Sequence, residues 1–231
     1  MRDASRIDRT RERAADIRLA TPADAAALAA IYAPFVTDGV ISFEFEAPDE
    51  AEMTRRLERV TAWTPWLVCD YHGATVGYAY AGRHRERAAY QWSVDVSVYV
   101  RHDAHRAGIA RGLYTSLFAI LVRQGFRNAY AGITLPNPPS EGFHRAMGFR
   151  AVGVYHGVGH KMGRWHDVGW YERELAPRIA DPPPPMPFAA VRDTPAVRAA
   201  VRSGLPVVGA RGGGARDDTN ATVAPDGARE G

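Results

Sequence analysis

Between Trp92 and Ala110 the chain reads WSVDVSVYVRHDAHRAGIA, and two kinds of chemistry lie side by side in it. Trp92, Val94, Val96, Val98 and Val100 alternate with Ser93, Asp95, Ser97 and Tyr99, the period of a half-buried strand, which puts the Asp95 carboxylate on the polar face. A carboxylate there can take a proton from an ammonium group, directly or through water. After the strand, His105 and Arg106 precede Gly108, and the spacing of Ile109, Leu113, Leu117, Ile120 and Leu121 starts a helix at once. The unpaired N–H groups of a first helical turn, its dipole and a nearby arginine all favour an anion such as a pyrophosphate. Neither G-x-x-x-x-G-K-[ST] nor G-x-G-x-x-G is present, so this is not a P-loop or a dinucleotide fingerprint. From the turn alone, a glycine that only starts a helix beside solvated basic residues fits equally well.

The elements that must position this strand and turn follow from the rest of the chain. With 231 residues and 46% hydrophobic content the protein has enough apolar material for one substantial core. A net charge of +3, with no dense basic cluster interleaved with aromatics, argues against a nucleic-acid partner. No run approaches the ~18 apolar residues of a membrane span, and the arginine-containing N-terminus lacks a signal peptide's apolar centre. The single cysteine, Cys69, sits in the apolar run Trp66 to Tyr71 and reads as packing, which with the missing signal suggests a reducing cytoplasm.

Residues 1–15 read as a charged, disordered leader, and residues 176–231, with PPPP after Asp181 and a Gly/Ala/Asp-rich end, as a disordered tail with a short helix near 194–202. Between them, a strand at 17–20 leads through Thr21 and Pro22 into a helix to about Phe35, and a second helix follows Pro48. Two strands, 66–71 and 75–81, join at His72-Gly73. The 92–100 strand and its helix, ended by Gly125, come next. A strand at 128–134, a short helix from Pro138 to Gly148 and two strands near 149–158 and 166–174 complete the order. This is a mixed α/β (α+β) layer structure rather than a regularly alternating parallel sheet.

H-R-x-G-x-A at 105–110 resembles the acyl-CoA loop of the GNAT acetyltransferase superfamily, and LPNPPSEGFHRAMGF at 135–149 resembles a second segment of it. More narrowly, IYAPFV at 31–36, SFE at 42–44, YAG at 80–82, VYV at 98–100, LPN at 135–137 and GRWHDVGWYER at 163–173 are similar to phosphinothricin and methionine sulfoximine acetyltransferases. The likeness covers about residues 16–175, taken as the domain. It implies the GNAT acyl-CoA N-acyltransferase fold, a mixed sheet of about seven strands flanked by about four helices. The WHDVG run contains a His-Asp pair, but neighbours in a strand face opposite ways, so a metal or catalytic unit is disfavoured and no metal is expected.

The resemblance also distributes roles. Acetyl-CoA would lie along Val98 and Val100, whose strand is expected to splay from its neighbour. Its pyrophosphate would meet His105, Arg106, Ala107, Gly108, Ile109 and Ala110, and its pantetheine arm Asn137 and Ser140. Asp95 stands where the family has a catalytic glutamate, one methylene longer. His144 stands where a proton donor to the leaving thiolate is expected. Arg85, Arg87 and Tyr90, with Phe35, Phe43 and Glu44, would face the acceptor. The implied activity is acetyl transfer to the amine of a small amino-acid-like substrate, in a protein that forms homodimers. Other amines (polyamine, aminoglycoside, peptide N-terminus) or a non-catalytic acyl-CoA-binding module are the alternatives, and Arg85 and Arg87 weigh against polycations. As the residue before Pro138, Asn137 is equally a helix N-cap.

Overall fold

The structure, a computed structural model, describes residues 15–209. Seven strands form one sheet: β1 (Asp16–Leu19), β2 (Trp66–Tyr71), β3 (Ala74–Arg83), β4 (Ser93–Val100), β5 (Asn128–Leu135), β6 (Arg150–Lys161) and β7 (Arg164–Glu174), in the spatial order β1-β2-β3-β4-β5-β7-β6. Every neighbouring pair is antiparallel except β4 and β5. Residues 1–14 of the expected leader and 210–231 of the expected tail lie outside the described residues.

The helices cover both faces because the strands alternate. Val94, Val96 and Val98 of β4, with Ala129, Ala131 and Ile133 of β5, join one core beneath α3 (Ile109–Gln124) and α4 (Pro138–Ala146). Trp66, Val68, Tyr78 and Tyr99 join the opposite core under α1 (Ala25–Thr37) and α2 (Glu50–Thr61). The β2–β3 turn forms as expected, with His72 and Gly73 both at positive φ (53° and 81°), which matches a primed hairpin turn.

The short helix expected near 194–202 is present, but the rest of the tail departs from expectation. Residues 176–209 are not a loose segment: Phe188–Val191 forms α5, Pro195–Val201 forms α6, and Phe188, Val191, Val197, Ala200 and Val201 are buried in the α3 core. Ser116 of α3 donates to the Val201 carbonyl (2.7 Å) and accepts from Gly204 N–H (3.0 Å), while Gln124 donates to the Met186 carbonyl (2.8 Å). Buried polar atoms on the outer side of α3 thus find their partners in the tail, and its apolar residues leave water there.

Candidate active site

β4 and β5 pair only at Ser93↔Asn128, Val94↔Ala129 and Asp95↔Tyr130. Beyond that point β4 pairs with β3 alone and β5 with β7 alone, so the two strands part and leave a V-shaped opening with Asp95 at its vertex. The expected splay is therefore present, and backbone groups of β4 around Val98 and Val100 line its wall, although both valine side chains are buried in the core.

Asp95 faces away from Val94 and Val96, as alternation requires, yet it is not solvated: only 3% is exposed. Burial pushes its carboxyl above the usual range, opposed by the His84 hydrogen bond and by the charges of His84 and Arg85. His84 Nδ1 lies 2.6 Å from Asp95 Oδ1, and an ionised carboxylate there accepts from its N–H. Three buried polar atoms near the opening, Asp95 Oδ2, Ser97 Oγ and Trp170 Nε1, have no partner among the described residues. Such atoms are costly unless a ligand or water satisfies them.

The loop after β4 leaves a run of backbone N–H groups open. Arg106 and Gly108 both take left-handed backbone (φ 66° and 72°), and Gly108 caps α3. Among the described residues no carbonyl accepts from the N–H groups of Ala107, Gly108, Ile109 or Ala110. Ile109 and Ala110 contribute backbone only, since their side chains are buried, and His105 Nε2 is bonded to the Val100 carbonyl (3.1 Å). The space that a Cβ on Gly108 would need is taken from the protein's own side: such an atom would lie 2.4 Å from the Val207 carbonyl oxygen.

Asn137 is the N-cap of α4, its side chain accepting from Ser140 N–H at 3.2 Å, and Ser140 Oγ lies 3.4 Å from His144 Nδ1. His144 departs from the role expected of it. It is wholly buried among Tyr114, Phe143 and Phe149, and burial pushes its pKa down to about 4, so it is neutral near pH 7. Its Nδ1 lies 2.8 Å from the Ser140 carbonyl, which only an N–H satisfies, so Nε2 accepts from the Tyr114 hydroxyl (3.3 Å). An imidazole in that tautomer presents no Nε2 proton to a thiolate.

The six expected acceptor residues divide. Arg85, Arg87 and Tyr90 line one cleft of about 260 Å³ with Trp63, Arg83 and Gln91. Phe35 does not reach it, being buried against Tyr99 in the α1–α2 core. Glu44 is held by a two-pronged ion pair with Arg56 (2.8 and 2.9 Å) and by the Tyr32 hydroxyl (2.8 Å), tying its loop to α1 and α2. Phe43 lies over Gly159 of β6, where a Cβ would fall 2.1 Å from its ring. In the WHDVG run the two side chains do separate: His166 bonds the Lys161 carbonyl (3.0 Å), and Asp167 accepts from Gly157 N–H (2.7 Å). Cys69 is buried, and its thiol is pushed up to about 12 by desolvation, as suits a packing residue.

His84, Tyr130 and Trp170 escaped the sequence reading, and Ser97 was placed only on the polar face of its strand. His84 stacks on Tyr130 (4.3 Å between centroids) and meets Trp170 edge-on (6.2 Å). The signal was available: continuing β3 two residues past Gly82, the partner of Asp95, brings His84 opposite Ser93 and diagonal to Asp95 on the same face.

Residues 17–170 match the Acetyltransferase (GNAT) domain family. The chain belongs to the GNAT acetyltransferase family. As a GNAT N-acetyltransferase it is 39% identical over 174 residues to a phosphinothricin N-acetyltransferase of Streptomyces viridochromogenes, covering 75% of this chain and 94% of the relative. It is 32% identical over 170 residues to an L-methionine sulfoximine/L-methionine sulfone acetyltransferase of Pseudomonas paraeruginosa, covering 73% and 99%. Among solved structures, a GNAT phosphinothricin acetyltransferase from Sinorhizobium meliloti in complex with acetyl-CoA superposes with a TM-score of 0.69 at 36% identity, covering 73% of this chain and 92% of that one. No helix among the described residues is long and apolar enough to cross a membrane.

Proposed function

We propose that this GNAT domain transfers the acetyl group of acetyl-CoA to the α-amine of a small amino acid bearing an oxyacid or sulfoximine/sulfone head, of the phosphinothricin or methionine sulfoximine type. The observation that carries the reading is the parting of β4 and β5 at Asp95, with unsatisfied backbone N–H groups at Ala107–Ala110 where the same strand ends. Cofactor and base thereby share one strand. In this reading acetyl-CoA enters the opening, its pyrophosphate on residues 105–110 with Arg106 adding charge, its arm along Val98, Val100, Asn137 and Ser140, and its thioester oxygen taking a backbone N–H near Val98. No metal takes part.

The base is centred on Asp95. Deprotonated amine attacks the thioester carbon, the C–N bond forms, and collapse of the tetrahedral adduct breaks the C–S bond. The thiolate takes the proton left on nitrogen. His144 serves here as the partner that fixes Tyr114 beside α4, not as the acid at sulfur. Arg85 and Arg87 supply the cations that a carboxylate-bearing acceptor needs. The compartment that fits acetyl-CoA and a buried reduced cysteine is the cytoplasm.

Thiol release from acetyl-CoA over a panel of amines tests the reading. Phosphinothricin, methionine sulfoximine and methionine sulfone are expected to give kcat/KM at least 10-fold above spermidine, an aminoglycoside or a peptide N-terminus. Preference for the polycations would overturn the substrate class, and tight acetyl-CoA binding without turnover on any amine would make the domain a binding module.

A further inference from the structure

The geometry points to His84, with its Nδ1 bonded to Asp95 at the vertex of the β4–β5 opening, as the catalytic base that takes the ammonium proton through Nε2, and to Asp95 as the residue that positions it. This rests on the acetyl-transfer reading above and changes which atom receives the proton.

Three observations carry it. Asp95 is nearly inaccessible (3%), whereas the His84 side chain bonded to it retains 14% exposure and is the more accessible member of the pair. The 2.6 Å bond occupies Nδ1, and no described residue bonds Nε2. The ring is fixed in plane by stacking on Tyr130 at 18° and by the edge contact with Trp170, an arrangement that holds orientation without consuming the second nitrogen. A buried carboxylate that fixes the Nδ1–H tautomer and steadies the imidazolium formed at Nε2 follows the logic of other acid–histidine pairs.

The residues flanking the ring also fit. Tyr90 packs edge-on to His84 (6.1 Å), and the Arg85 guanidinium lies over Trp170 (5.8 Å) with its Nη1 on the His84 carbonyl (2.7 Å). A zwitterionic acceptor with its carboxylate toward Arg85 would carry its ammonium to the His84 side. The charged and titratable groups around the ring are Asp95 on β4, Arg85 and Tyr90 in the β3–β4 loop, Tyr130 on β5 and, bonded to Tyr130, Glu172 on β7. The proton balance is simple. The ammonium gives one proton to Nε2, which later passes to solvent. The adduct nitrogen gives a second to the thiolate, and the products are the N-acetyl amino acid and CoA thiol.

The test compares His84→Gly, His84→Gln and Asp95→Asn with wild type on whichever amine wild type uses best, each variant first matched to wild type by circular dichroism and acetyl-CoA affinity. Both His84 variants and Asp95→Asn are expected to lose roughly 100-fold or more in kcat. The double variant should lose little beyond either single one. The acid limb of the pH–rate profile should vanish in His84→Gly, and added imidazole should restore turnover to His84→Gly but not to Asp95→Asn. Near-wild-type turnover and an unchanged pH profile in the His84 variants, beside a large loss in Asp95→Asn, would return the base to Asp95 itself. Loss in His84→Gly that imidazole does not relieve, with the pH profile intact, would reduce His84 to a structural group. Acceptor preference for polyamines leaves this experiment standing, whereas a wild type that acetylates nothing sinks both readings.

Discussion

His144 and His84 show how much a histidine's role depends on what its two nitrogens meet. Both rings bond through Nδ1, but His144 is sealed and its Nε2 accepts from Tyr114, while the His84 side chain keeps 14% exposure. For His144 the consequence is measurable as stability. Its pKa falls from 6.5 in the unfolded chain to about 4 in the folded one because burial penalises the cation. Between those values the unfolded state binds the proton and the native state does not, so stability rises with pH across that window and is lost on acidification. Below pH 4 the loss levels off. The full effect is about 3 kcal/mol. Urea unfolding from pH 7.5 to 4 should therefore show a pH slope in wild type that His144→Asn reduces by about that amount, and the variant should keep kcat at pH 7.5 within about 10-fold. Equal slopes would mean that His144 is not buried as a neutral ring, and a kcat loss beyond 100-fold would restore it to the proton-transfer step.

At the scale of elements, α3 joins the 105–110 loop to the tail, and Gly112 shows the coupling. A methyl group there would meet Val208 Cγ2 at 2.6 Å and the Gly204 carbonyl at 2.9 Å. Alanine in an ordinary helix interior would gain up to ~1 kcal/mol over glycine. Here it has to displace backbone, so Gly112→Ala should cost about 1–3 kcal/mol in the full chain. In a chain ended at residue 185 the same change should be neutral or stabilising, and a penalty of the same size in both would deny that the tail causes it. Most elements could be read in advance because their signals are local: the alternation of β4, the Thr21-Pro22 start, Gly125 at φ 102° after α3, and the Asn137-Pro138 cap. Beyond its short helix near 194–202, the tail's packing could not be read so. Phe188, Val191, Val197 and Val201 are too sparse among prolines and alanines to announce a core by themselves. Their partner is the outer side of α3, where Gly112 and Ser116 are buried beside the sheet-facing leucines. A helix buried on more than one side demands a second cover. The site was legible in the same uneven way. Asp95 and the 105–110 loop lie on one continuous strand and turn, whereas Phe35 and Glu44 could be assigned to core and ion pair only once α1 and α2 were in place.

For the whole molecule, the sheet leaves one long strand at its end. β6 closes the order beside β7, and Val152, Val154, Tyr155 and Val158 on it are 56, 41, 49 and 51% exposed, with Trp165 of β7 at 69%. An apolar strand at a sheet edge is a template for another chain unless it is blunted by charge or proline, and only Arg150, His156, His160 and Lys161 interrupt the apolar and glycine residues of β6. A homodimer built on this edge answers the exposure and leaves Asp95, at the β4–β5 vertex, two strands away from the junction. Sedimentation equilibrium should accordingly give about twice the 25.3 kDa chain mass at micromolar concentration. Val154→Lys with Val158→Lys should return the protein to 25.3 kDa and, because the opening and the 105–110 loop belong to one chain, leave KM for acetyl-CoA unchanged within about 3-fold. A wild type that sediments as a monomer at tens of micromolar would refute this use of β6. A monomeric variant that loses acetyl-CoA affinity would instead show that the second copy shapes the site.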